Sequence, residues 1–372
     1  MKTKLLLLLL PVVLILFSCK EDVDLIGEFK ETAVIYGLLD QSDSVHMVKI
    51  TRAFIGPGNS LQIAQIADSS YFNQVNATVS EYIDDIPTGR VWTLKDTLIT
   101  DKKDGVFYNP DQKVYVFYSK SIDNSSSPTG SSLNTNATYK LNVDVNNGLF
   151  AVTGETKLIS GISTNTDNQS YSFKFAKDLT EFKTNVISVN VGNAYIVNTA
   201  MDIHYTEFIG TAETTQTINW TLGETDCEPG NTKSFSAVGE TFYTQIASHC
   251  ANYGNPLTDK RNFTGLTVKV VGGSQDLYNY MLVNEPSTSL AQNKPTFTNL
   301  AATNEHPVIG IFSSRFTYSV HHDFSTPTSQ FVRCLDKPST EYLCIGAITG
   351  SYLFCSQHAQ DQLPTPESWA CN

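Results

Sequence analysis

The chain has 372 residues, a length that allows two or three domains. Hydrophobic residues make up 41% and aromatic residues 11%, enough to bury a sizeable core, which excludes general disorder. Lys and Arg number 25 against 37 Asp and Glu, and the formal net charge of −12 argues against the basic face that nucleic-acid binding requires. We therefore expect a folded protein that binds no nucleic acid.

The first residues have the pattern of an export signal. Two lysines precede the apolar run Leu5–Phe17, which is shorter than a membrane-spanning helix. The run ends in Leu16–Cys19, which resembles a bacterial lipobox, although Phe17 replaces the usual small residue. The resemblance implies that residues 1–18 are a signal peptide and that Cys19 becomes an acylated N-terminus. Acyl chains such as palmitate would then attach the protein to the membrane.

An acidic tether is predicted over residues 19–30. Its residues Lys20, Glu21 and Asp22 resemble the lysine and two acids that direct Bacteroidota lipoproteins to the cell surface. The alternative interpretation is an ordinary solvated tether. Removing residues 1–18 removes two lysines and no acid, so the formal net charge becomes −14, which repels anionic lipid head groups. We predict a lipid-anchored outer-membrane protein that faces the cell surface.

Alternating apolar residues predict strands in the N-terminal half. The sequence Asn146-Asn147-Gly148 between two alternating segments predicts a hairpin turn, and a short helix is predicted at Leu61–Ala67. Residues 31–160 are therefore expected to form a β-sandwich domain of immunoglobulin-like type. The predicted strands are Thr32–Leu39, Ser44–Phe54, Val75–Val79, Tyr139–Val145 and Leu149–Val152.

The polar segment Ser160–Ser170 is the predicted domain boundary, and residues 171–372 are predicted to form a second β-rich domain. Two short helices are expected there, at Thr241–Ala251 and at Gln275–Val283, with Ser274 as the N-cap of the second. The fold class is therefore mainly β. The predicted strands of this half are Tyr171–Phe175, Val186–Val191, Ala200–Phe208, Thr214–Leu222, Leu266–Val271 and the hairpin pair Glu341–Ala347 and Ser351–Phe354.

Six cysteines remain after Cys19, all of them in the last two-fifths of the chain. An even number in an exported protein suggests disulfides, with buried thiols as the alternative. The predicted hairpin would bring Cys344 and Cys355 together, which favours that pairing. The spacing of the six cysteines matches no zinc finger or zinc ribbon. The candidate disulfide cysteines are Cys227, Cys250, Cys334, Cys344, Cys355 and Cys371.

The sequence offers little catalytic chemistry. His321-His322-Asp323 is the only histidine cluster, and on a strand the two imidazoles would point to opposite faces rather than share a metal ion. No common hydrolase, nucleotide-binding or metalloprotease motif occurs. We assign no catalytic, cofactor-binding or metal-binding residue. The candidates for the pair of carboxylates that a glycosidase requires are Glu81 with Asp84 or Asp85, and Glu207 with Glu224.

Several segments together resemble a family of Bacteroidota outer-membrane lipoproteins known only as a domain of unknown function. Genes of that family frequently lie beside genes for TonB-dependent receptors. This chain departs from the family in an insertion at Ala301–Pro307 and in its six mature cysteines. Besides the lipobox, the resemblance rests on Val34–Asp40, Val45–Phe54, Asn76–Val79, Gly272–Tyr280, Asn284–Ser287, Pro295–Asn299, Gly310–Arg315 and Pro366–Trp369.

The resemblance implies a non-catalytic binding or accessory subunit, with a TonB-dependent outer-membrane barrel as its partner. It brings no catalytic residue and no cofactor. Two alternatives stay open at this point: a secreted hydrolase acting on glycans or peptides, and a structural component of a cell-surface assembly. The hydrolase would require two close carboxylates in a pocket, or a nucleophile hydrogen-bonded to a base.

Overall fold

A computed structural model describes most of the chain after the predicted tether. The segments Cys19–Asp22 and Pro366–Glu367 lie outside the described residues. No helix in the described segments is both long and apolar enough to cross a membrane. The described residues are 31–53, 60–100, 103, 105, 108, 111–119, 132–285, 296–324, 333–358, 361 and 369–371.

The first half of the described chain contains nine strands and two helices of one turn each. Their bounds are β1 (Thr32–Leu39), β2 (Val45–Ala53), α1 (Ser60–Ile63), α2 (Ala67–Ser70), β3 (Val75–Ile83), β4 (Ile86–Thr93), β5 (Lys95–Ile99), β6 (Gln112–Tyr118), β7 (Thr138–Val145), β8 (Phe150–Lys157) and β9 (Ile162–Thr164).

The second half adds eight strands, three longer helices and a 3₁₀ turn at Gly350–Tyr352. Their bounds are β10 (Thr184–Val191), β11 (Ile196–Ile209), β12 (Ala212–Asp226), β13 (Thr232–Val238), α3 (Gly239–Tyr253), β14 (Lys260–Gly273), α4 (Gln275–Asn284), β15 (Leu300–Ala302), β16 (Val308–Asp323), α5 (Lys337–Ile345) and β17 (Phe354–Cys355).

The strands form three sheets, so the fold is mainly β, as predicted. A nine-stranded sheet has the order β12-β11-β14-β16-β1-β2-β6-β5, with β17 paired to β14. The second sheet has the order β15-β8-β7-β3-β4, and the third has the order β13-β10-β9. The long sheet is therefore shared by the two halves of the chain.

One strand makes that sharing possible. The first half of β16, Val308–Ser314, pairs in parallel with β1, and the second half, Arg315–Asp323, pairs antiparallel with β14. A parallel pair cannot be joined by a tight turn, and here residues 40–307 lie between its two strands. β16 thus fixes the N-terminal and C-terminal parts against each other.

Two hydrophobic cores lie along the long sheet. The first is enclosed between the β1-β2-β6 part of that sheet and the sheet containing β7 and β8. The second lies between the β11-β14 part and the β10-β13 sheet, and α3 and α5 also contribute buried residues to it. The change of core falls between Leu158 and Ile159, beside the predicted boundary. However, Leu300 and Phe312 pack in the first core although they lie in the predicted second domain.

The elements with the clearest periodicity match their predictions closely. β1 has the bounds that were predicted, and Ser274 accepts a hydrogen bond from the amide of Leu277 as the N-cap of α4. The hairpin turn is confirmed, because Asn146, Asn147 and Gly148 all have positive φ angles between β7 and β8. The predicted helix at Leu61–Ala67 is instead divided between α1 and α2.

Three predicted strands of the second half are wrong. One of them, Ser351–Phe354, is mostly the 3₁₀ turn Gly350–Tyr352, and only Phe354 belongs to β17. Residues 171–175 form only an isolated bridge, between Phe173 and Leu335. The backbone N–H groups of Phe175 and Ala176 do not pair with a strand, because they donate hydrogen bonds to the hydroxyl of Ser339. The segment predicted as a strand at Glu341–Ala347 belongs to helix α5. Asp336 caps that helix by accepting from the amide of Ser339, and a proline occupies its first turn, where proline is favoured.

The pairing of β1 with β16 depends on a glycine. Gly310 lies opposite Ile35 with a φ angle of +108°, and a Cβ atom there would lie 1.9 Å from the carbonyl oxygen of Ile35. Gly89 also has a positive φ angle, +86°, but no atom lies within 4 Å of the place its Cβ would take. An alanine at position 89 would therefore have backbone strain alone, whereas an alanine at position 310 would have backbone strain and steric overlap.

We predict that Gly310→Ala destabilises the fold much more than Gly89→Ala. The alanine at position 89 should cost about 1 kcal/mol, because it must adopt a left-handed conformation. At position 310 the overlap with β1 should add at least about 2 kcal/mol. Equilibrium urea unfolding of the two variants measures the difference, and equal stabilities would contradict the described junction.

Candidate functional site

The predicted lipidation site Cys19 and the export residues Lys20, Glu21 and Asp22 lie outside the described residues. The described chain begins at Glu31, whose position is fixed by three contacts. Its carboxylate pairs with Arg52 at 3.3 Å and accepts from the amide of Asn146 at 3.5 Å, and its carbonyl oxygen accepts from His306 Nδ1 at 2.9 Å. We call the sheets around the first core the first sandwich, and those around the second core the second sandwich. The chain therefore enters the fold at the end of the first sandwich that carries the Asn146–Gly148 turn.

The structure corrects the predicted pairing of the cysteines. Cys355 is bonded to Cys371, with their Cα atoms 4.9 Å apart, and not to Cys344. The backbone explains this choice, since Ser356 and Ala370 form a parallel bridge that places the neighbouring Cys355 and Cys371 side by side. Cys344 lies on α5 and faces the second core.

Four of the six candidate disulfide cysteines are buried thiols. Burial raises the pKa of Cys334, and it raises the pKa of Cys344 to about 12. A thiol with a raised pKa forms little thiolate at neutral pH and is chemically inert. These side chains therefore act as small apolar residues of the second core. They are Cys227, Cys250, Cys334 and Cys344.

The predicted carboxylate pairs are not brought together as pairs. Glu81 is buried and accepts hydrogen bonds from Arg90, Thr88 and the hydroxyl of Tyr139, which is a structural role. Asp84 and Asp85 instead form the turn between β3 and β4.

The second predicted pair is also separated. Glu207 forms a buried ion pair with Arg261, at 2.7 Å. Glu224 lies opposite Asn198 on β11, nine residues away from Glu207 along that strand. At the rise of a β-strand this separation is roughly 30 Å, so the two carboxylates cannot share a substrate.

The histidine cluster behaves as strand alternation predicts. His321 and Asp323 are exposed on the outer face of β16, and His322 points into the second core against Phe173. Within the described residues, neither ring nitrogen of His322 has a hydrogen-bond partner. Burial lowers its pKa, so this imidazole is neutral at pH 7.

A row of polar side chains crosses four neighbouring strands on the outer face of the long sheet; we call it the histidine row. The hydroxyl of Thr267 on β14 lies 2.8 Å from His204 Nε2 and 2.8 Å from His321 Nδ1. His321 Nε2 in turn lies 3.1 Å from the carboxylate of Asp323, and His204 Nδ1 lies 3.0 Å from the hydroxyl of Thr217. The row contains two imidazoles that the sequence analysis left unconnected.

For two neutral rings, the number of protons fixes the direction of these hydrogen bonds. A carboxylate can only accept, so His321 then donates from Nε2 to Asp323 and accepts at Nδ1. Thr267 has one hydroxyl proton, which it donates to His321. His204 must then donate from Nε2 to Thr267 and accept at Nδ1 from Thr217. Burial and the neighbouring His321 lower the pKa of His204, which agrees with a neutral ring in this arrangement.

A hydroxyl, an imidazole and a carboxylate in sequence are also the components of a nucleophilic triad. Here, however, Thr267 lies in the middle of a sheet, paired with Asp202 on one side and His321 on the other. The backbone N–H groups around Thr267 donate hydrogen bonds to the neighbouring strands β11 and β16. They are therefore not free to form an oxyanion hole. The geometry of the histidine row therefore suits the binding of a ligand better than acyl transfer.

A cleft of about 640 Å³ lies where the two sandwiches meet; we call it the junction cleft. Its volume is within the range of small-molecule sites. The turn between β3 and β4 and the ends of β7 and β8 form one wall, and the segments before β11 and at the start of α4 form the other. The lining residues are Asp84, Asp85, Asn136, Thr138, Glu155, Thr156, Lys157, Ile159, Asn193, Tyr195, Pro229, Ser274, Gln275 and Asp276.

Fixed side chains shape the junction cleft. Lys140 beside it holds two of its carboxylates, with its Nζ atom 3.4 Å from Asp85 and 3.5 Å from Glu155. The side-chain amide of Asn193 accepts a hydrogen bond from the backbone N–H of Ser160 and donates one to the backbone carbonyl oxygen of Leu158. These contacts connect the walls to elements of both sandwiches.

The charge of the junction cleft is negative. Four carboxylates line it, and the lysines at positions 140 and 157 supply the only positive charges among its described lining residues and their ion-pair partners. Carboxylate and amide oxygens accept hydrogen bonds from hydroxyl and ammonium groups. The cleft therefore suits a ligand with several hydrogen-bond donors. The four carboxylates are Asp84, Asp85, Glu155 and Asp276.

The junction cleft and the point where the chain enters lie at opposite ends of the first sandwich. Thr138 and Lys157 line the cleft, at one end of the β7–β8 hairpin. Asn146, beside Glu31, lies at the other end. The eight residues of β7 separate the two ends by roughly 25 Å.

Comparisons with known proteins add little to this description. No known protein family matches the chain, and no curated protein matches it. Among solved structures, the chain is similar to the C-terminal globular domain of an oligosaccharyltransferase from Pyrococcus abyssi. The identity is 12%, the match covers 67% of this chain, and the TM-score is 0.24. The chain spans about half of that structure, 49% of its length, and a likeness this weak carries no argument about function.

The cysteine chemistry gives a direct prediction. After denaturation without a reducing agent, a Cys19→Ser variant should react with four equivalents of a thiol reagent, because four of the six cysteines after Cys19 are thiols. After reduction the count should rise to six. The native protein should react slowly, since the four thiols are buried. A count of zero or two in the unreduced, denatured protein would contradict the described pairing.

Proposed function

We propose that this protein is a surface-exposed, lipid-anchored lipoprotein of the outer membrane that acts as a non-catalytic binding subunit beside a TonB-dependent transporter. In this proposal the junction cleft is the ligand site. The lipobox and the acidic segment after Cys19 support the anchor and the address. The family resemblance supports the partner.

The position of the junction cleft carries the binding part of the proposal. An anchor at the N-terminal end of the first sandwich leaves the cleft roughly 25 Å further from the membrane, open to solvent. The nine-stranded sheet runs through both sandwiches, so the two walls are held at a fixed separation. A site preformed in this way loses little conformational entropy when a ligand binds.

The chemistry of the cleft supports a ligand that donates hydrogen bonds, such as a saccharide or an amine. Its carboxylates accept from hydroxyl groups and attract ammonium groups, and the ring of Tyr195 offers an apolar face. A phosphorylated or otherwise anionic ligand would be repelled by the excess of carboxylates.

The same carboxylates are poorly suited to glycoside hydrolysis. A glycosidase keeps one carboxyl group protonated by placing it in an apolar environment. The side chains of Asp85 and Glu155 are 88% and 65% exposed, and both contact the ammonium group of Lys140. This exposed environment beside a lysine is not the apolar one that a carboxylic acid needs to act as a proton donor.

Acylation would keep this protein close to a barrel partner in the same membrane. Confinement to the membrane plane raises the effective concentration of the protein near an integral partner without any new contact. Even a weak interface would then hold the binding subunit beside the transporter.

The proposal is tested by isolating the lipoprotein from its own cells in mild detergent. We expect an outer-membrane barrel to be recovered with it, and a small molecule to be released on denaturation and detected by mass spectrometry. The double variant Asp85→Asn, Glu155→Gln should lose most of the small molecule and keep the barrel, because it changes only the cleft.

Glu181→Gln is the matched control, since this carboxylate is exposed in a surface pair with Lys177 outside the cleft. It should behave as the wild type. The function as proposed would be contradicted if no barrel were recovered, or if the wild type and the cleft variant carried the same small molecules.

A further inference from the structure

The histidine row contains the components of a metal site. Among the described residues, no three side chains of the His, Cys, Asp and Glu types are grouped to hold a metal ion. Two imidazoles nevertheless converge, because His204 Nε2 and His321 Nδ1 both lie 2.8 Å from one oxygen atom, the hydroxyl of Thr267. The two ring centroids are 5.4 Å apart.

We propose that His204 and His321 bind a divalent transition-metal ion, with the hydroxyl of Thr267 and water as the remaining ligands. Imidazole nitrogen is a preferred ligand of copper, nickel and zinc ions, and copper(II) binds most tightly to a given set of nitrogen ligands. The site is independent of the proposed function, since it lies on the outer face of the sheet and shares no residue with the junction cleft.

The outer nitrogens of the two rings already have the partners that a metal site needs. A metal-bound histidine usually donates its second N–H to an oxygen atom, which fixes the ring and its tautomer. Asp323 accepts from His321 Nε2, which leaves the Nδ1 lone pair directed at Thr267. Thr217 lies within hydrogen-bond distance of His204 Nδ1 and can accept from it in the same way.

Metal binding requires one proton to move within the row. Without a metal, His204 holds its proton on Nε2, because Thr267 can donate to only one of the two rings. With His204 protonated on Nδ1 instead, Thr217 becomes the acceptor, and Nε2 of His204 and Nδ1 of His321 both carry lone pairs on the side of Thr267. Nδ1 of His204 therefore has a hydrogen-bond partner in both tautomers, and the bound metal ion is the partner of Nε2 that Thr267 cannot supply.

The surroundings of the row are compatible with a cation. Asp202 lies on the same face beside Thr267, and its charge is shared with Lys269 and with the amide of Asn219. The side chain of His321 is 49% exposed, so an ion from solvent can reach it without a conformational change.

The experiment is a titration of the full-length lipoprotein in detergent with copper(II), followed by electron paramagnetic resonance and by calorimetry. We expect one saturable site per chain and a spectrum with two nitrogen ligands. His204→Gln and His321→Gln should each weaken binding at least about tenfold, and Asp323→Asn should weaken it by about tenfold, because it removes the charge of the group that accepts from His321 Nε2. A zinc(II) titration should show the same ranking of variants.

His306→Gln is the control, because His306 lies at the other end of the molecule, stacked on Phe150. It should bind copper as the wild type does. Thermal unfolding of every variant confirms that the fold is retained, which is expected because the changed side chains of the row lie on the sheet surface. Absence of a saturable site, or equal affinity in the wild type and in His204→Gln, would overturn the proposal.

Discussion

The parallel pairing of β1 with the first half of β16 is the constraint on which the rest of the structure depends. It connects a strand at the beginning of the described chain to one near its end, and the second half of β16 continues into the other sandwich. The two cores consequently share one sheet. The junction cleft exists because this sheet holds two sandwiches side by side, with loops of both around the gap.

The same constraint gives the molecule two distinct ends. The chain enters the first sandwich beside the Asn146–Gly148 turn, where Glu31 is held by three side chains. The junction cleft lies at the opposite end of that sandwich. In the proposed function, acylation at Cys19 makes the first end membrane-proximal, so the anchor sets the direction in which the cleft faces. Binding and attachment would then lie at separate ends of one molecule.

Local sequence patterns predicted the strands well because the alternation of buried and exposed residues is a property of each strand alone. β1 and the β7–β8 hairpin are examples, and Ser274 was identified as a cap from its own neighbours. The strand predicted at Glu341–Ala347 is part of helix α5, and the local signals of that helix lie before the predicted segment, in the cap at Asp336 and the proline of the first turn.

The features on which the proposals rest could not be predicted in the same way. In the histidine row, 63 residues separate His204 from Thr267 and 54 residues separate Thr267 from His321. Only the order of the strands brings them together. The walls of the junction cleft likewise come from both sandwiches. The pairing of Cys355 with Cys371, 16 residues apart, depends on the backbone bridge between Ser356 and Ala370.

The orientation of the anchored molecule can be measured directly by energy transfer in vesicles. The full-length lipoprotein would carry a donor dye at Asn136→Cys, beside the cleft, or at Leu149→Cys, beside the point where the chain enters; the vesicle lipids would carry the acceptor. Both positions are exposed, and the native thiols are buried. Strong transfer from position 149 and weak transfer from position 136 is the expected result. Equal or reversed transfer, or protein that does not remain with the vesicles, would contradict an N-terminal anchor that holds the cleft away from the membrane.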